Sequence, residues 1–119
     1  MTTDMGRLEA VSDEELLAFL RQHVAEPLEM ELLAFWGRHL EQRLPRDVVA
    51  YAMQCSKLDL ERAFGSMMEA GLVQSHVENS TVLYCLSPDD ALRRLALEVA
   101  SLGWQRRRDI VGRLGRWQE

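Results

Sequence analysis

Three kinds of side chain in this 119-residue chain could carry chemistry: thiols, imidazoles and clustered cations. Cys55 and Cys85 are its two cysteines. They read either as small buried hydrophobes or as a redox-active thiol pair, which would need α-carbons within about 7 Å. His23, His39 and His76 fall on three separate predicted elements, with no HxxxH or CxxC spacing to hold a metal. Asp89-Asp90 suits a helix start better than a pair of catalytic carboxylates, and neither a glycine-rich phosphate loop nor a G-x-S-x-G elbow is present. These patterns imply no enzyme, no metal and no cofactor. The cations are more informative. Ser56, Lys57 and Arg62 share one predicted helix, Arg46 opens the one before it, and Arg106-Arg107-Arg108 lies near the C-terminus with Arg113 and Arg116. Guanidinium, ammonium and hydroxyl groups so grouped suit phosphate or guanine contacts.

The charge distribution sharpens this. The chain carries 14 Lys+Arg against 19 Asp+Glu, a formal −5 that argues against a generic nucleic-acid coat. Residues 1–44 hold four arginines and nine acids, residues 45–90 three bases and seven acids, and residues 91–119 seven arginines and three acids. An acidic body therefore carries a basic C-terminal end. That end could track a phosphate backbone, stack on Trp104 or Trp117, meet the acidic body of the same chain or a partner subunit, or form a solvated helix face. The 47% hydrophobic content and mixed charge exclude a disordered chain. No apolar run reaches the roughly 18 residues of a membrane span, Met1–Glu9 lacks a signal-peptide pattern, and two cysteines suit a cytoplasmic setting.

The elements that must position these residues follow from periodicity. Residues 1–11 lack it and read as a flexible N-terminus. Residues 12–119 read as one domain, with N-terminal helices over 12–43, a core over 45–86 and a C-terminal helix over 88–114. Ser12-Asp13-Glu14-Glu15 is a capping-box pattern before Leu16, Leu17, Leu20 and Val24, and Pro27 is expected to end that helix near Glu26. Leu32, Leu33, Phe35, Trp36 and Leu40 mark a second helix. Pro45 suits the first position of a third, whose buried face would be Val48, Val49, Ala52 and Met53. Ser56 caps a fourth, Leu60, Phe64 and Met67 form its inner stripe, and Gly71 stops it. Two β-rich runs, 72–77 and 81–86, flank Glu78-Asn79-Ser80 as a hairpin with Asn79 at positive φ. Ser87-Pro88-Asp89-Asp90 reads as cap, proline and two acids opening the last helix, which Gly103 and Gly112 weaken.

Residues 45–86 thus run helix, tight turn, helix, Gly-Leu-Val, hairpin. Val49-Ala50, Cys55-Ser56, Leu60, Phe64, Met67, Glu69-Ala70-Gly71-Leu72-Val73 and Tyr84-Cys85-Leu86 resemble the winged helix-turn-helix of bacterial regulators of the ArsR and MarR type. The resemblance implies a mainly α fold with a β-hairpin wing, flanked by N- and C-terminal helices. It further implies a small transcriptional regulator that binds duplex DNA through the helix 57–70, with Ser56, Lys57 and Arg62 on the DNA and Arg46 pinning the backbone. Family wings usually carry Arg or Lys, whereas this one carries His76, Glu78 and Asn79. The alternative is therefore a winged-helix adaptor that binds protein through the same exposed helix, with Glu61 and Glu69 as recognition charges. The resemblance also implies a homodimer through the flanking helices, for which Leu92, Leu95, Val99 and Leu102 offer an apolar stripe. Intramolecular packing of that stripe is the alternative.

Overall fold

Along the chain, the computed structural model describes residues 13–24 and 26–114. They form α1 (Asp13–His23), α2 (Pro27–Arg38), β1 (Leu44–Pro45), α3 (Arg46–Met53), α4 (Lys57–Glu69), β2 (Val73–Glu78), β3 (Thr81–Leu86), α5 (Asp90–Ser101) and α6 (Trp104–Leu114). The fold is mainly helical, with one small antiparallel sheet in the order β1-β3-β2. Ser12, the expected flexible N-terminus, Arg116 and Trp117 lie outside the described residues.

Central to the fold is α2. Every residue from Leu32 to Gly37 is buried, as is Met30, so the helix is covered on nearly all sides. Pro27 does not stop α1; it starts α2. Glu26 is the N-cap in extended geometry, as a residue before proline prefers, and α1 already ends at His23. Leu16, Leu20 and Val24 of the α1 segment enter the same core. Leu40 lies beyond the end of α2, half-buried against the core.

Packing of α5 along α2 makes the main helix pair. Gly37 explains how close they come: a Cβ there would lie 2.2 Å from the Ala96 carbonyl oxygen and 2.8 Å from the Ala100 Cβ. Leu92, Leu95 and Val99 are buried in this seam and Leu102 packs half-buried against it. The stripe assigned to a dimer interface is therefore used within the chain, where it packs along α2. The single C-terminal helix over 88–114 is also two helices. Leu102 is extended (φ −74°, ψ 139°) at the end of α5, and α6 starts again after Gly103. Gly112 does not interrupt α6.

Local chemistry sets the remaining boundaries. Pro45 closes β1 and is the N-cap of α3 rather than its first helical residue. The buried stripe of α3 is Val49 and Ala50 with half-buried Met53, whereas Val48 and Ala52 are exposed; eight residues present only one narrow face inward. At the end of α4, the Leu72 N–H donates to the Met67 carbonyl at 2.8 Å and the Gly71 N–H to that of Met68 at 3.1 Å. That reversal needs a left-handed residue, supplied by Gly71 at φ +80°. The β2–β3 loop is Asn79-Ser80, with both residues at positive φ, the geometry of a tight primed turn. Asp89, not Ser87, caps α5 by accepting the Ala91 N–H at 2.9 Å. The Ser87 hydroxyl instead donates to the Gly71 carbonyl at 2.8 Å, tying the end of the hairpin to the exit of α4.

Candidate recognition face

An exposed surface on α3 and α4, flanked by the hairpin, collects Arg46, Ser56, Lys57 and Arg62, four of the seven residues expected to contact DNA. Its base is rigid. Leu60, Phe64 and Met67 bury the inner stripe of α4, and the Phe64 ring lies 4.5 Å from that of Tyr84 on β3, fixing helix to sheet. Ser56 acts as the N-cap, its Oγ accepting the Asp59 N–H at 3.0 Å. This is the capping role that the sequence predicts for Ser56.

Each cation of α3 and α4 already faces a carboxylate of the same chain. Arg46 pairs with Glu61 across the two helices and approaches Asp47 at 3.8 Å. Lys57 lies 3.4 Å from Asp47, and Arg62 donates to Asp59 at 2.7 Å. Three cations thus share the segment with four carboxylates, since Glu69 is also exposed on α4. Surface pairs of this kind are worth little individually and can open. Opening them does not change the sign of the surface, so a phosphate backbone laid here would also meet Asp47, Asp59, Glu61 and Glu69.

Between the charges are apolar side chains. Tyr51 is 88% exposed and Leu58 73%, with Val48 and Met68 also open to solvent. Tyr51 lines a groove of about 650 Å³ with Asp47, Ala50, Ala52, Gln54, Cys55 and Lys57. The hairpin tip continues this character: Val77 and Val82 face each other across the strands and are both exposed. Arg43, before β1, pairs with Glu78 at 2.5 Å. Sequence reasoning missed Arg43, and its position just ahead of an unrecognised strand was the only available signal.

Other predicted residues lie elsewhere. Arg107 is only 13% exposed; its Nε donates to Glu31 at 3.0 Å and its Nη1 to the Leu102 carbonyl at 2.7 Å. It is a joint between α6, α2 and the α5–α6 break, so the arginine cluster does not present a continuous basic face. Arg106 is half-buried, and Arg108 and Arg113 are exposed. Cys55 and Cys85 are both free and half-buried, and the structure does not place them in one cavity. Cys55 opens on the α3–α4 groove, whereas Cys85 lines a separate concavity of about 190 Å³ with His76, Arg43 and Arg93. Burial, and then the Asp59 carboxylate, push the Cys55 thiol above its ordinary value. His23 and His39 lie against the rings of Phe19 and Phe35. Among the described residues, no three His, Cys, Asp or Glu side chains are grouped to hold a metal, and no helix is long and apolar enough to cross a membrane. Comparison with protein-family models, curated proteins and solved structures returned no match.

Proposed function

We propose that this chain is a non-catalytic recognition module of winged-helix type that binds protein through the exposed face of α3 and α4. The observation that carries this reading is the pairing of Arg46, Lys57 and Arg62 with Glu61, Asp47 and Asp59, on a surface where carboxylates outnumber cations. Non-specific affinity for duplex DNA comes mostly from neutralising phosphates with excess cations. This surface has no excess, and offers exposed Tyr51, Leu58 and Met68 instead. A cytoplasmic setting suits its two cysteines, which remain thiols.

Duplex DNA is the second reading. It is favoured by the order of elements, a short strand, two helices and a hairpin that pairs back with that strand. It would use Lys57 and Arg62 on bases or phosphates, with the regulator's role that the resemblance implies. Titration of a fluorescent duplex across a salt series separates the two. The protein-binding reading predicts no salt-dependent association even at low salt. Affinity that falls steeply with salt and weakens on Lys57→Ala or Arg62→Ala would replace it with the DNA reading.

A further inference from the structure

We propose that the occupant of the outward face of α4 is α4 of a second copy, paired antiparallel about a two-fold axis near Gly65. This rests on the protein-binding reading above and names its partner.

Gly65 stands in the interior of α4, where glycine is less favourable than alanine by about 1 kcal/mol. Nothing among the described residues requires it: a Cβ built there meets none of their atoms within 4 Å, and its φ is not left-handed. A bare backbone at the centre of an exposed stripe is where another helix can approach most closely.

The residues around it are self-complementary. At 3.6 residues per turn, Leu58, Arg62 and Glu69 fall on one flank of Gly65, and Glu61 and Met68 on the other. All five are exposed. Arg62 lies about 4.5 Å before Gly65 along the helix axis and Glu69 about 6 Å after it. A two-fold axis perpendicular to the helix keeps each flank facing its own copy while reversing direction. It therefore brings Arg62 level with the partner's Glu69, and Glu69 level with the partner's Arg62. The other flank sets Met68 over the aliphatic stem of the partner's Glu61. In the single chain Arg62 already donates to Asp59 through Nη2. A guanidinium has five N–H donors, so a second carboxylate is accommodated without losing the first. Among the described residues Glu69 has no ion-pair partner, which leaves its carboxylate available. A contact of this kind is isologous and closes at two copies.

Sedimentation equilibrium on the full chain, at low and moderate salt, tests this with four variants. The wild type is expected to show a concentration-dependent monomer–dimer equilibrium that weakens with salt. Arg62→Glu and Glu69→Arg each place two like-charged pairs across the axis and should weaken the dimer about tenfold or more. Combining both reversals restores opposite charges and should recover most of that loss. Gly65→Arg is tolerated by the open surroundings of the monomer, confirmed by an unchanged helical spectrum, and should abolish the dimer. A wild type that stays monomeric, or a double reversal no better than either single one, would overturn the pairing. The duplex titration is read separately. A monomer that ignores DNA removes the self-pairing alone, whereas salt-dependent duplex binding removes the protein-binding reading itself.

Discussion

Gly37 and Gly65 both lie within helices, and their surroundings are opposite. At Gly37 an added Cβ would sit 2.2 Å from the Ala96 carbonyl oxygen; at Gly65 it would touch nothing within 4 Å. The first glycine is explained by the fold, because it lets α5 lie directly on the backbone of α2. The second has no counterpart among the described residues. The α2–α5 seam is apolar and closed, while the α4 face mixes paired charges with bare Leu58 and Met68. One region specifies the fold, and the other is a surface whose composition the fold does not require.

Substitutions can break or sharpen this contrast. Gly37→Ala should have the largest effect, about 3 kcal/mol of destabilisation or outright failure to fold, since the clash is with backbone and the helices must separate. Urea denaturation checks it; a loss under 0.5 kcal/mol, roughly the scale of a surface substitution, would mean that the seam is looser than described. Arg107→Ala should cost about 1–2 kcal/mol by removing the bonds to Glu31 and the Leu102 carbonyl, with faster amide exchange in α6 before the rest of the molecule. Ser56→Ala removes the α4 cap and should cost about 1 kcal/mol. Gly65→Ala has the opposite sign, a gain of about 0.5–1 kcal/mol in dilute solution, where the monomer prevails. A destabilised Gly65→Ala would show that the chain does use this glycine.

The smallest effect is in the pH dependence. The folded state raises the Cys55 value above that of a free thiol, so it holds that proton more tightly than the unfolded chain does. The resulting stability is fully present below the unfolded value and is lost as pH rises through the folded one. Urea midpoints should fall in that alkaline range, and Cys55→Ala should remove that part of the decline.

Much of the architecture was legible where one residue type has one physical use. Ser56 and Gly71 marked both ends of α4, and the spacing of Leu60, Phe64 and Met67 gave its buried stripe. Two elements were hidden for identifiable reasons. β1 is two residues long and has no period to read; it exists because Leu44 and Pro45 find Tyr84 and Leu83 on β3. The break between α5 and α6 was announced by Gly103, but the sequence could not say whether the helix would bend or end. The site was less legible than the fold. Arg107 reads as part of a basic cluster until its distance from Glu31 is known, because an ion pair between residues 76 apart leaves no local pattern. Likewise Leu92, Leu95 and Val99 form a stripe that periodicity alone cannot assign to this chain or to another copy.

The account rests on α4 as a surface for protein, and amide NMR spectra of the labelled chain test it most directly. A dilution series at low salt, followed by addition of duplex DNA, should shift resonances of α4 on dilution while those of the α2–α5 seam stay fixed. The duplex should then move nothing. Shifts of Lys57 to Glu69 on adding DNA, with none on dilution, would contradict it.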